Sequence, residues 1–138
     1  MTKEIDLNWL DSMAFSTELD GHRIVVDADA EVGGLDRGPR PKALLMVSLA
    51  GCTAMDVISI LRKMREPVSW FNIKVQAALT DEHPKRYTHF RLVYQFRQSD
   101  GLKHENVTKA IQLSQEKYCG VAATLKDAAE LSWDVEYL

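Results

Sequence analysis

The sequence predicts an α+β fold in a single domain that spans residues 1–138. Segments that alternate apolar and polar residues flank one long stretch with helical periodicity, and a second helical segment precedes a final strand. Such an order, without regular alternation of strand and helix, is typical of α+β proteins. The length of 138 residues and the hydrophobic fraction of 46% fit one globular domain with its own core.

The N-terminal third predicts short strands and a loop. Residues 5–9 alternate apolar and polar side chains, which predicts a strand, and 10–19 predict a turn and a second short strand. Asp20 and Gly21 then predict a turn before the β-branched run 24–26. Segment 31–41 holds three glycines and two prolines, which indicates a loop.

The segment from Pro41 to about Arg65 predicts the long helix. Pro41 suits the first helical turn, and the basic end of the segment suits a helix C-terminus. Apolar positions with helical spacing follow along it: Leu45, Leu49, Cys52, Met55, Ile58 and Leu61. Further apolar residues extend this stripe around most of the helix, which predicts a central and buried helix.

The second half of the chain predicts three more strands and two helices. Residues 69–79 and 87–97 alternate well enough to form an antiparallel pair of strands. An amphipathic helix is predicted over 106–118, a short helix over 121–125 and a closing strand over 131–138.

Composition excludes several classes of protein. The net charge of −3, without a basic block, argues against a nucleic-acid partner. No uninterrupted apolar run approaches the roughly 20 residues that span a bilayer, so we expect no membrane partner. The N-terminus lacks the apolar core of a signal peptide, which predicts a cytoplasmic protein. The four histidines lack metal-ligand spacing and the glycines form no phosphate-binding pattern, so we expect no metal and no cofactor.

The two cysteines, Cys52 and Cys119, are the candidate functional residues. Thiols in the cytoplasm are normally reduced, so free thiols or a reactive pair are expected rather than a structural disulfide. The competing interpretations are that Cys52 is a small buried core residue and that Cys119 is an inert cap or loop position. Asp56, one helical turn after Cys52, would raise the pKa of that thiol if it is ionised.

Two motifs resemble the OsmC/Ohr family over nearly the whole chain. Cys52 lies in LAGCTAMDV inside the long helix, and Cys119 lies in EKYCGVAATL, 67 positions further along. The resemblance implies an intertwined homodimer, with the long central helix packed against antiparallel sheets. It also implies thiol-dependent reduction of hydroperoxides, often organic ones: Cys52 attacks the peroxide, Cys119 resolves the sulfenic acid to a disulfide, and a cellular dithiol resets the pair.

The sequence departs from the family pattern at the activating groups. Lys42 stands where the family has a glutamate, residues 10–14 hold no arginine, and Gly120 replaces a proline. Arg37, Arg40 and Lys42 are candidate cationic substitutes. The alternatives to a thiol peroxidase or a related cysteine-based redox or stress-response protein are therefore two. One is a non-catalytic dimer that binds a small hydrophobic ligand at its interface, and the other is a stress-induced structural dimer whose cysteines serve packing.

Overall fold

All 138 residues are described by a computed structural model of the chain. The chain forms two compact units, Met1–Leu45 and Met46–Leu138. Each unit has its own three-stranded sheet, and helices accompany the second, so the α+β class is confirmed. A single domain over 1–138 stays a prediction.

The N-terminal unit is built on an antiparallel sheet in the order β1-β2-β3. The strands are β1 (Asn8–Asp11), β2 (Ala14–Leu19) and β3 (His22–Val26). The predicted strand 5–9 is therefore wrong in its position, because pairing with β2 begins only at Asn8, opposite Ser16. Alternation marks a face of the chain, but a strand exists only where a neighbouring strand accepts its hydrogen bonds.

The turns and the loop of this unit follow the sequence prediction. Asp20 and Gly21 both have positive φ angles, 50° and 78°, in the turn that joins β2 to β3. Gly34 lies so close to the backbone of Ala28 that an added Cβ would meet its carbonyl oxygen at 1.8 Å. A side chain at position 34 would therefore force the loop open.

Asp27 organises the loop that follows β3. Its buried carboxylate accepts hydrogen bonds from the backbone N–H groups of Ala28 (2.8 Å), Leu35 (3.2 Å) and Arg37 (3.1 Å). Burial raises the pKa of Asp27, but these bonds to the ionised form outweigh burial and leave the pKa below its ordinary value.

The two arginines proposed as cationic substitutes are both paired within this unit. Arg37 binds Asp11 at 2.7 Å and also contacts Asp27. Arg40 binds Asp36 at 2.7 Å and pairs with Asp29 as well. Their positive charges are thus compensated by neighbouring carboxylates.

The long helix confirms the prediction over 41–65, with a modified start. Pro41–Ala43 form a 3₁₀ turn, and the α-helix proper, α1, runs over Leu44–Lys63. Arg65, with a φ of 60°, stops the helix.

The expectation that this helix is buried all round is wrong for the single chain. Only one face is fully buried, and its residues recur every fourth position: Leu49, Thr53, Val57 and Leu61. On other faces, Val47 is 64% exposed and Met55 is 73% exposed. Periodicity gives the width of an apolar surface, but not whether the same chain covers it.

The same helix bears on the expectation about membranes. Pro41–Lys63 is long and apolar enough, with a mean hydropathy of 2.0, to cross a bilayer by length and composition. This is weak evidence by itself, because the core helix of a soluble protein passes the same test. The helix here contributes Leu49, Val57 and Leu61 to the core of the second unit.

The sheet of the second unit is mixed. Strands β4 (Phe71–Leu79) and β5 (Tyr87–Phe96) form the predicted antiparallel pair. The last strand, β6 (Glu130–Tyr137), pairs with β5 in parallel, so the expectation of antiparallel sheets fails for this pair. The chain between β5 and β6 is a helical crossover, which returns it to the same end of the sheet.

That crossover contains the second and third helices. α2 covers His104–Leu113, a π-helical turn covers Ser114–Tyr118, and α3 covers Gly120–Leu125. The predicted helices over 106–118 and 121–125 are confirmed with small shifts at their starts. The apolar faces of α1, α2 and the sheet meet in one core: Leu49, Val57, Leu61, Phe90, Leu92, Tyr94, Phe96, Val107, Ala110, Ile111, Cys119 and Ala122.

Truncation of Leu61 should destabilise the second unit. Leu61 is 0% exposed, so Leu61→Ala leaves a cavity in close-packed surroundings and should cost about 2–5 kcal/mol of unfolding free energy. Leu138→Ala is the matched control, because Leu138 is 63% exposed, and it should change stability by less than about 0.5 kcal/mol. Urea unfolding at one protein concentration measures both variants, and equal effects would contradict the described core.

Loss of the Asp27 charge should change the acid sensitivity of the N-terminal unit. Because its folded pKa lies below the ordinary 3.8, the Asp27 carboxylate stabilises the fold above pH 3.8, and this contribution disappears as the pH falls through the folded value. The melting temperature of Asp27→Asn should therefore lie below that of the parent protein at pH 6, and the difference should shrink towards pH 2. Asp6→Asn, at an exposed position, is the control and should show no such trend.

Candidate functional site

The two cysteines occupy different kinds of position. Cys52 lies in the middle of α1 and is half-buried, whereas Cys119 is only 3% exposed and caps the N-terminus of α3. The Sγ of Cys119 accepts a hydrogen bond from the backbone N–H of Ala122 at 3.3 Å. Both cysteines are free thiols in the structure.

The fold brings the two thiols together with one carboxylate. The Sγ atoms of Cys52 and Cys119 and a carboxylate oxygen of Asp56 all lie within 4.8 Å of one another. Asp56 is one helical turn beyond Cys52, so α1 presents both side chains on the same face. The two sulfur atoms are thus neighbours in the folded chain.

Ser114 positions Cys119 relative to α1. Its carbonyl oxygen accepts the N–H of Cys119 at 2.7 Å, which closes the π-helical turn between α2 and α3. Its hydroxyl lies 2.7 Å from the hydroxyl of Thr53, the neighbour of Cys52 on α1. One serine thus connects the backbone of one thiol residue to the helix that carries the other.

Buried hydroxyls form a hydrogen-bonded chain that ends on Asp56. Ser114 uses its only hydroxyl hydrogen to donate a bond to Asp56 Oδ2 at 2.9 Å, so it must accept the hydrogen bond that it shares with Thr53. Thr53 must in turn accept from the hydroxyl of Tyr94 at 2.7 Å, and Tyr94 accepts from the amide of Gln115 at 2.8 Å. The donors along this chain therefore all point towards the Asp56 carboxylate, and the hydrogen bond from Ser114 orients that carboxylate.

The local environment keeps Tyr94 and Cys119 protonated at neutral pH. Burial raises the pKa of Tyr94 to about 12, and the nearby Cys119 and Asp56 act in the same direction, while hydrogen bonds with Thr53 and Gln115 oppose them. Burial also raises the pKa of Cys119 to about 11. The hydrogen bond from Ala122 opposes that increase, and the adjacent Cys52 adds to it.

A cleft opens beside Asp56. It has a volume of about 270 Å³ and is lined by Asp56, Ser59, Ile60, Lys63, Leu113 and Tyr118. Small molecules or ions can therefore approach the carboxylate from one side, while the core closes the other.

The sequence predicted the two cysteines and noted Asp56, but it missed the hydroxyl chain. Thr53 interrupts the apolar stripe of α1 between Leu49 and Val57, and Ser114 extends the buried stripe of α2. A polar residue in an apolar helical stripe was the available signal, since buried hydroxyls require partners. Tyr94 gave no such signal, because aromatic residues are common in buried strands.

Known proteins resemble this chain in sequence. The sequence model of the family described as OsmC-like protein matches residues 33–134. Protein YhfA of Escherichia coli strain K12 is 33% identical over 131 residues, which cover 94% of each chain.

Solved structures resemble the chain in fold. A hypothetical protein from Aquifex aeolicus has a TM-score of 0.83 at 28% identity, and the match covers 100% of this chain and 98% of the other. The organic hydroperoxide resistance protein OhrB of Bacillus subtilis has a TM-score of 0.68 at 13% identity, over 99% and 98% of the two chains. On the sequence match to most of its length, this chain belongs to the OsmC-like protein family.

Proposed function

We propose that the protein is a thiol-dependent hydroperoxide reductase with Cys52 as the attacking thiol and Cys119 as the resolving thiol. The observation that carries the proposal is the approach of two free sulfur atoms to within 4.8 Å across 67 positions of sequence. A disulfide has an S–S distance of about 2.05 Å, so the two sulfur atoms would have to approach by no more than about 3 Å. The shared fold with OhrB, an organic hydroperoxide resistance protein, supports the same chemistry.

The proposed reaction needs only the two thiols and a hydroperoxide. The Cys52 thiolate attacks the terminal oxygen of ROOH, the O–O bond breaks, and the alkoxide leaves as ROH after taking a proton. Cys52 is then a sulfenic acid. The Cys119 sulfur attacks it, water leaves, and a disulfide forms. A cellular dithiol reduces the disulfide and becomes oxidised itself.

The exposure of the two cysteines supports Cys52 as the attacking thiol and Cys119 as the resolving thiol. Cys52 is half-buried and can meet a substrate, whereas Cys119 is 3% exposed and is reached most easily by its neighbour Cys52. The raised pKa of Cys119 agrees with a thiol that acts second.

We expect this chemistry in a homodimer in the cytoplasm. The apolar exposure of Val47 and Met55 on α1 supports a partner chain, since monomers rarely leave a broad apolar surface uncovered. The reducing conditions of the cytoplasm would return the disulfide to the dithiol form.

Binding of a small apolar ligand is the second candidate function. A cleft of about 370 Å³ beside α1 and β4 falls within the usual size range of small-molecule pockets. Its lining is mostly apolar: Val47, Ala50, Gly51, Ala54, Phe71, Asn72 and Ile73. A co-purifying apolar molecule in a protein whose thiols resist peroxide would favour this function over the first.

Treatment of the reduced protein with cumene hydroperoxide should form a disulfide between Cys52 and Cys119 within one chain. Cys119→Ser should stop at the sulfenic acid of Cys52, which dimedone traps, and Cys52→Ser should form neither product. Peptide mass spectrometry under non-reducing conditions measures all three.

Peptide-level assignment is needed because exposed methionines such as Met55 also gain oxygen from peroxide. Protein without peroxide is the control for air oxidation. Thiols that remain fully alkylatable after excess peroxide would rule out the proposed function.

The resolving step should accelerate as the pH rises. With a pKa of about 11, Cys119 is almost entirely protonated at neutral pH, and its reactive thiolate increases about tenfold per pH unit up to that value. The rate at which the Cys52 sulfenic acid disappears, followed by dimedone trapping after a pH jump, should rise steadily between pH 7 and 10. A rate independent of pH would show that deprotonation of Cys119 does not limit this step.

A further inference from the structure

We infer that the reduced chain binds one soft divalent cation of the zinc class through the Sγ atoms of Cys52 and Cys119 and a carboxylate oxygen of Asp56. This goes beyond the proposed peroxide chemistry, which uses the two sulfur atoms but assigns no role to Asp56. The three ligand atoms already lie within 4.8 Å of one another.

The geometry is close to that of a zinc site. Zinc binds thiolate sulfur at about 2.3 Å and carboxylate oxygen at about 2.0–2.2 Å, so tetrahedral ligand atoms stand roughly 3.5–3.8 Å apart. The present separations are 4.8 Å at most, so they would have to contract by no more than about 1.3 Å to reach those values. Three protein ligands leave a fourth position for water, as in zinc sites with an open coordination position.

Hydrogen bonds from neighbouring residues orient the proposed ligands, as is usual for metal ligands. Metal-binding side chains are oriented by hydrogen bonds from a second layer of residues. Here the chain from Tyr94 through Thr53 to Ser114 ends with a hydrogen bond to Oδ2 of Asp56, which leaves the other carboxylate oxygen available. Cys119 is held by its backbone bond to Ser114.

The charges also favour a cation. Two bound thiolates and the carboxylate would bring three negative charges together in a half-buried place. A divalent cation reverses that repulsion, since the two thiols release their protons to solvent and the metal bonds to all three groups. Lys63 lines the same cleft as Asp56 and would offset part of the remaining negative charge.

The cleft provides an entry path. Asp56 lies on its wall, so a hydrated ion can reach the carboxylate first and lose water as the sulfur atoms bind. The sequence predicted no metal because its histidines lack ligand spacing. This cluster contains no histidine, and Cys119 joins Cys52 and Asp56 only in the folded chain.

Metal binding and disulfide formation exclude each other at this site. A sulfur atom bonded to the cation is unavailable to peroxide or to the other cysteine. The metal-bound form would therefore be a protected reduced state.

Cobalt titration of the reduced, chelator-treated full chain tests the inference. Co²⁺ should bind at one ion per chain with a thiolate-to-cobalt charge-transfer band in the near ultraviolet, and Zn²⁺ should displace it. Asp56→Asn should weaken binding by about tenfold or more, and Cys52→Ser or Cys119→Ser should reduce the band. Glu116→Gln, which removes an equal charge at an exposed position, should bind like the parent.

A second measurement keeps the test decisive if a cysteine variant fails to fold. In the unaltered chain, Zn²⁺ should protect both Cys52 and Cys119 from iodoacetamide, as read from peptide masses. Absence of the band and of protection would overturn the inference, and so would Asp56→Asn binding as tightly as the parent.

The two proposals fail separately. Disulfide formation by peroxide in metal-free protein, without a cobalt band, would retain the reductase and remove the metal site. A cobalt band in a protein whose thiols resist peroxide would retain the metal site and remove the reductase.

Discussion

The hydrogen bond between the hydroxyls of Thr53 and Ser114 is the contact on which the site depends. It joins the middle of α1 to the end of α2 across 61 residues at 2.7 Å, in a part of the core from which water is excluded. Ser114 also accepts the N–H of Cys119, so the same residue sets the position of the second thiol. Loss of either hydroxyl would leave a buried polar group without its partner, which is costly in a low-dielectric interior.

This arrangement explains why the π-helical turn matters. A regular α-helix through Ser114–Tyr118 would direct Cys119 differently, whereas the wider turn closes with a bond from its N–H to the carbonyl five residues earlier. Such turns are rare and occur frequently at functional sites. The turn ends α2, and the new helix α3 begins with Cys119 as its cap, beside Cys52 and Asp56.

The site combines features with opposite chemical consequences. The closeness of the two thiols favours disulfide chemistry, while burial raises the pKa of Cys119 and so disfavours the thiolate of the resolving residue. The arginines of the N-terminal unit are engaged with aspartates there. In the proposed reductase, this environment slows the attack of Cys119 on the sulfenic acid of Cys52.

The α+β class, the long helix, the antiparallel pair of strands and both cysteines could be predicted from the amino-acid sequence, because helical spacing, strand alternation and residue type are local properties. The predictions that failed all concerned which segments of the chain lie side by side. The first strand began later, the last strand ran parallel to its neighbour, and α1 was buried on one face only, since each of these depends on which other segment lies alongside. The distance between the sulfur atoms and the hydroxyl chain to Asp56 were decided by tertiary structure alone. They arise from contacts between residues that lie from 41 to 67 positions apart, and no local pattern encodes such a separation.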